Sequence, residues 1–265
     1  MDIYTLLGYF GALIIGITLG LVGGGGSILT VPVLVYILGA NPITATAYSL
    51  FVVGSTALVG AAYNFRKGLV DLRTAIVFAV PAFIGVYVTR RFLIPAIPEI
   101  LFTVGNFALG KDTGIMVFFA LIMLIASVSM IRNEREEKAT NDQQKFNYPL
   151  IIVEGLLIGV LTGIVGAGGG FIIIPALVLL AKLPMKKAIG TSLLIIAFKS
   201  LIGFLGDVQN LDIEWPLLIS FTAIAIVGIF IGMYLTNFIK GKKLKKGFGW
   251  FVLLMGIYIL GKELM

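Results

Sequence analysis

The residues best suited to chemistry in this sequence are two dense glycine segments, Gly23-Gly24-Gly25-Gly26-Ser27 and Gly166-Ala167-Gly168-Gly169-Gly170, each set between long apolar runs. Glycine adopts positive φ without a Cβ clash and leaves its N–H groups uncovered. Apolar runs follow at Ser27 and Phe171; read as helices, they aim the positive ends of their dipoles back at the glycines. Uncovered N–H groups beside a helix N-terminus suit an anion. Gly24, Gly25, Gly26 and Ser27, with Gly168, Gly169 and Gly170, are therefore candidate substrate ligands. A purely structural turn is the competing role. A dinucleotide fingerprint is not supported, because the glycines lie in an apolar hairpin rather than a βαβ unit.

Hydroxyls and charges inside apolar runs are the second source of candidates. Ser49, Thr56 and Gly60 are spaced by seven and then four residues, which places them on one helix face with Thr46 alongside. Ser192, Lys199 and Gly203 reproduce that face later in the chain. Ser49, Thr56, Thr191, Ser192 and Lys199 join the substrate ligands; for the hydroxyls the competing role is interhelical hydrogen bonding, worth about 0.6 kcal/mol each. Lys199 is expected to supply the positive charge. It lies about seven residues, roughly 10 Å of helix, from the end of its run near Gly206, and its counterpart is the neutral Thr56. Side chains lean toward a helix N-terminus, so snorkelling to that nearer end is awkward. Glu154 is a candidate for coupling to a proton or sodium ion, against a plain role at the positive end of a helix dipole. Asn64, Asp71, Asp207 and Glu214 read as loop contacts at span ends, and Arg90 and Arg91 as charges of an outer loop.

The chain has no Cys and no His, which excludes a Cys/His zinc site, a thiol nucleophile and a serine–histidine triad. It lacks G-x-x-x-x-G-K-[ST], so no nucleotide machinery is expected. No catalytic residue, cofactor or metal site is assigned. The net charge of +7 does not indicate nucleic acid, because the 20 Lys and Arg lie between apolar runs rather than on one basic face.

Positioning these residues requires a membrane. Of 265 residues 59% are apolar and 12% charged, too little charge to wet a soluble surface, where roughly 25% is usual. Runs long enough to cross about 30 Å of hydrocarbon recur near 3–22, 44–63, 74–92, 113–131, 148–165, 187–205, 215–239 and 247–261. The first lacks the basic flank and cleavage site of a signal peptide and reads as a retained helix. Two shorter runs, 28–38 and 171–181, read as half-helices of about half a bilayer at about 1.5 Å per residue. Tyr63, Tyr87, Tyr148, Trp215 and Tyr234 fit interfacial anchoring.

The chain repeats itself. Gly16, Gly20, Gly23, Gly25, Gly26 and Pro32 fall on Gly159, Gly163, Gly166, Gly168, Gly169 and Pro175, and Ser49 and Gly60 on Ser192 and Gly203. After a small offset, Gly85, Tyr87 and Thr89 meet Gly232, Tyr234 and Thr236. The spacing of Gly16/Gly20 and Gly159/Gly163 is that of close helix packing. The expected organisation is a first repeat 1–131, a polar cytoplasmic linker 132–147 and a second repeat 148–265. If each glycine segment turns its chain back, so that a helix and half-helix form a hairpin followed by three spans, the repeats are inverted. Fifteen Lys and Arg then lie inside and four outside (Arg90, Arg91, Lys111 and Lys262), with Lys199 in the membrane; uninterrupted spans would split the charges 8 to 11. The positive-inside rule selects the hairpins, with both termini outside.

The paired elements G-x-x-x-G-x-x-G-G-G-G-S-x-x-x-x-P (Gly16 to Pro32) and G-x-x-x-G-x-x-G-A-G-G-G-x-x-x-x-P (Gly159 to Pro175) are each followed by a small-residue helix, with A-Y-S-L at Ala47 to Leu50 and G-T-S-L at Gly190 to Leu193. Over nearly the whole chain this resembles the sulfite exporter TauE/SafE family of membrane permeases. The resemblance implies transport of small sulfur-containing anions, such as sulfite or sulfonates, by a two-repeat bundle. The expected protein is thus an all-α polytopic cell-membrane transporter working by alternating access, with a small anion, the bilayer, a coupling proton or sodium ion and a homo-oligomeric assembly as partners. A passive anion channel or an accessory membrane subunit is the alternative.

Overall fold

The computed structural model describes residues 3–104, 107–132, 148–166, 170, 173, 174, 177, 183–236, 238 and 241–264. It is an all-α polytopic membrane protein. Helix α1 (Ile3–Val22) leads into the half-helix α2 (Gly26–Ile37), followed by α3 (Pro42–Arg66) and α4 (Leu72–Ala96). A short antiparallel hairpin, β1 (Ile100–Val104) and β2 (Phe107–Gly110), precedes α5 (Lys111–Arg132). Then come α6 (Tyr148–Val165), α7 (Met185–Asp207), α8 (Trp215–Leu235) and α9 (Gly241–Leu264). Among the described residues six helices are long and apolar enough to cross a membrane: α1, α3, α4, α5, α7 and α8. Of the other two expected spans, α6 offers the shorter apolar helix Ile152–Val165, and α9 opens on the lysine-rich sequence 241–246.

Local sequence sets the boundaries. Asn41 caps α3 by accepting from the Ile43 N–H at 2.9 Å, with Pro42 pre-setting the first turn. Asp71 caps α4 in the same way, accepting from the Thr74 N–H at 2.8 Å. Residues such as Phe10, Ile125, Phe230 and Leu254 face outward, whereas Ala12, Ala45, Ala57, Ala82, Ala197 and Ala225 are buried. Small residues where helices cross let their backbones approach closely, which is how helices associate in lipid, and large side chains such as Phe78, Phe119 and Phe221 fill the rest of the interior.

The half-helix turns back along α1. A Cβ on Gly26 would strike the backbone of Thr18 and Leu19, one on Gly11 would meet Val33, and one on Gly8 would meet Leu38. The segment is not a plain α-helix starting at Ser27: a 3₁₀ stretch already begins at Gly23 and runs to Leu29, and Val33–Ile37 is π-helical. The tight 3₁₀ turns take up the reversal that four successive glycines permit. The corresponding half-helix 171–181 and the linker 133–147 lie largely or wholly outside the described residues.

Helix packing crosses between the two halves of the chain. On α1, Gly16 lies against Ala225 and Gly228, and Gly20 against Ile229 and Gly232, so α1 and α8 run parallel. On α6, Gly155 lies against Phe78 and Pro81, Gly159 against Ala82, and Gly163 against Thr89, so α6 and α4 also run parallel. Between them α3 and α7 run antiparallel, with Gly54 against Leu201, Gly60 against Leu193 and Gly203 against Leu50. The four glycines assigned to packing thus do pack, backbone to backbone or onto a threonine.

Contacts sort the helix ends. Tyr36 donates to Glu263 at 2.9 Å, Asn41 to Asp112 at 2.8 Å and Arg91 to Asn210 at 3.0 Å at one end of the bundle. At the other end the Asp71 N–H donates to Thr191 at 2.9 Å, and Gly190 packs on Leu69. The start of α1, through Gly8 and Leu38, and the end of α9 share the first of these ends.

Candidate functional site

The two glycine breaks meet. A Cβ at Gly24 would fall on the Gly170 backbone, and one at Gly170 on that of Gly24. The first glycine of each break takes the left-handed conformation, Gly23 at φ 68° and Gly166 at φ 72°. The later glycines serve close approach: Gly24 to the opposite break and Gly26 to α1. Each positive-φ glycine docks on the small-residue helix of the other half. Gly23 faces Ile189 and Ser192 of α7, and Gly166 faces Thr46 of α3. By the repeat register Ile189 and Thr46 are counterparts.

The candidate ligands take several positions around this junction. Ser27 is fully buried and donates to the Gly24 carbonyl at 2.7 Å, which pins the first break. Gly25 lies in the same 3₁₀ stretch, and Gly168 and Gly169 lie outside the described residues. Ser192 donates to Ile189 O of its own helix at 2.8 Å, and Thr191 accepts from the Asp71 N–H near the end of the bundle. Ser49 and Thr56 are fully buried, and their hydroxyls have no hydrogen-bond partner among the described residues. Thr30 Oγ1 and Ser200 Oγ share that condition. Glu154 is half-buried, with Oε2 unpartnered among the described residues.

Two cations are buried beside the second break. Lys199, 0% exposed, donates to Thr162 Oγ1 at 2.9 Å; the carbonyl of Thr162 in turn accepts from the Gly166 N–H at 2.9 Å. Arg90 is also 0% exposed, and its Nη1 donates to Thr46 Oγ1 at 3.0 Å and lies 3.4 Å from Asp207 Oδ2. Thr46 is the residue on which Gly166 docks. One glycine therefore links both cations by direct contacts, through Thr162 on one side and Thr46 on the other.

The sequence pattern of the family described as "Sulfite exporter TauE/SafE" matches residues 9–259. The chain belongs to this family of membrane transporters. It is 29% identical over 255 residues to a "Probable membrane transporter protein" of Xylella fastidiosa (strain 9a5c), covering 94% of this chain and 92% of that one. It is 25% identical over 236 residues to the "Probable membrane transporter protein YdhB" of Bacillus subtilis (strain 168), covering 88% and 90%. No solved structure matches. This TauE/SafE protein is a membrane transporter rather than an enzyme.

Two residues of the transporter stand elsewhere than the sequence reading puts them. Arg90 is not an outer-loop charge: α4 continues through a π-helical stretch, Thr89–Leu93, to Ala96, which carries Arg90 into the bundle. Its π turn packs on Gly206, whose missing Cβ leaves room for the Arg90 Cβ. Asp207 is not a loop contact but the buried partner of Arg90, 3% exposed. With Arg90 withdrawn, the outer cations of the charge count fall from four to three. The signal available for this pair is faint, since its members are 117 residues apart in sequence and each stands at the edge of an apolar run.

Proposed function

We propose that this transporter carries a small sulfur-containing anion, sulfite or a sulfonate, bound where the two glycine breaks meet and exposed alternately to the two sides of the cell membrane. The observation that carries the reading is the contact of Gly24 with Gly170, in a break whose Gly166 is tied through Thr162 to a fully buried Lys199. Broken helices that meet inside a bundle are the usual place for a carrier's ligand, and irregular backbone at that depth is tolerated where it is buried in protein or lines a cavity. A buried ammonium favours an anionic cargo, and the family description supports the sulfur chemistry.

Alternating access draws support from the packing. Helices α3 and α7 are repeat counterparts and run antiparallel. Counterparts that pack on each other across a twofold axis in the membrane plane must do so, whereas an axis along the membrane normal would make them parallel. Inverted repeats with boundaries at 131 and 148, both termini outside and the linker inside, fit this arrangement and the charge asymmetry. Glu154 is the group we assign to coupling by a proton or sodium ion.

Proteoliposomes holding the purified chain, preloaded with unlabelled sulfite or methanesulfonate, should show saturable counterflow of the labelled anion. Flux that never saturates, or no flux from the chain alone, would replace the carrier with a channel or an accessory subunit. Because the chain has no native Cys, Asp142→Cys and Gln209→Cys report topology directly. Position 142 is expected to label only from inside and position 209 only from outside.

A further inference from the structure

Arg90 uses only one corner of its guanidinium. Nη1 donates to Thr46 and lies 3.4 Å from Asp207 Oδ2, an ion-pair distance, while Nε and Nη2, both buried, and Asp207 Oδ2 itself have no hydrogen-bond partner among the described residues. Those two nitrogens form the side edge of the planar group, where two N–H bonds point in parallel and match two oxygens of one oxyanion. Buried guanidinium donors without a partner are costly in a low-dielectric interior, so an edge held open there is suited to a ligand that arrives and leaves. Thr46 and Gly206 fix its orientation: the first holds Nη1, and the second lets α7 press on the Arg90 backbone.

We propose that Arg90 is a substrate ligand of this transporter, holding an oxyanion bidentately through Nε and Nη2, with Asp207 as the internal anion that fixes the opposite corner. The proposal deepens the anion-carrier reading above and rests on it for the place of binding. It also narrows the cargo. Arg90, Lys199 and Asp207, joined through Gly166 by the contacts described, sum to one positive charge, which one monoanion neutralises. A sulfonate, bisulfite or carboxylate meets both demands of shape and charge; chloride has no paired oxygens, and a dianion would leave an uncompensated negative charge. Arg91 is engaged with Asn210, and Glu154 stands two turns before Thr162 on α6, about 12 Å along the axis.

The test is isothermal titration of the full-length purified chain with methanesulfonate, acetate and chloride. The double variant R90Q/D207N replaces the ion pair with a neutral pair of nearly the same shape, and R90K keeps the charge while removing the fork. We expect methanesulfonate binding to fall at least 30-fold in R90Q/D207N and about tenfold in R90K, as for charge-assisted hydrogen bonds, with chloride affinity little changed in R90K. Affinity for the oxyanions within threefold of native in folded R90Q/D207N, or in R90K, would overturn the assignment, as would a native chain that binds neither methanesulfonate nor acetate. Acetate binding that the variants lose, with no methanesulfonate binding at all, would retain Arg90 and remove the sulfur reading instead.

Discussion

The two breaks each open on a glycine of positive φ and differ in chemistry. The first, at Gly23, docks on Ile174, Ile189 and Ser192, with the neutral Ser27 pinning it from within. The second, at Gly166, docks on Thr46 and is bracketed by Lys199 on Thr162 and Arg90 beside Asp207. At the counterparts of Thr162 and Lys199 the first half has Leu19 and Thr56. The comparison separates two tasks that a symmetric carrier must combine. On the proposed carrier reading, the glycine at the start of each break would let the halves exchange roles, while charge concentrated at one break would give an anion one place to sit.

The sharpest way to break the comparison is to separate the breaks. Gly24→Val and Gly170→Val place bulk where the two backbones touch, and both should reduce proteoliposome flux to background. Survival of transport in either would mean that the junction is not the site. Next in size is Lys199→Met, which leaves the fold but removes the buried ammonium; affinity for the anion should drop at least tenfold, in line with the loss of a charge-assisted hydrogen bond. Thr56→Lys, which gives the first half the same residue, should not restore it.

A finer comparison sets Gly166→Ala against Gly23→Ala. Both need positive φ, which costs an L-residue about 1–2 kcal/mol, but the new Cβ meets the Thr46 backbone at the second break and flexible Ile174 and Ile189 side chains at the first. Thermal unfolding should therefore show Gly166→Ala as the more damaging. The smallest effect expected is from Thr191→Val, which removes one acceptor for the Asp71 N–H and should cost about 1 kcal/mol with transport kept. A complete loss of flux there would move the site toward the inner end of α7.

Much of this was legible in residue order. Periodic glycines mark both breaks and the four packing positions, because a missing Cβ is visible in sequence wherever backbones must touch. Lys199 was legible for a similar reason, as a charge deep inside an apolar run. Arg90 was not. It falls near the end of its run, where a charge ordinarily belongs to a loop, and only the π-helical stretch Thr89–Leu93 and the room at Gly206 bring it inside. The hairpin 100–110 escaped because its apolar residues merge with those of the flanking runs. The glycine segments also mislead in detail, since at the first break Gly23 carries a positive φ while Gly24 and Gly26 provide clearance.

The parallel pairing of α1 with α8 has a consequence for how the chain is made. Gly16 and Gly20 find their partners only when Gly228 and Gly232 have been synthesised, more than 200 residues later. At about 5–20 residues per second, the first helix waits roughly 10–40 s in the bilayer with its small-residue face uncovered. During that interval the face is open to other helices, including the α1 of a neighbouring nascent chain. Completion of the fold is therefore a race between the ribosome and lateral encounter, and slowing translation between 132 and 228 lengthens the exposure without changing a single native contact.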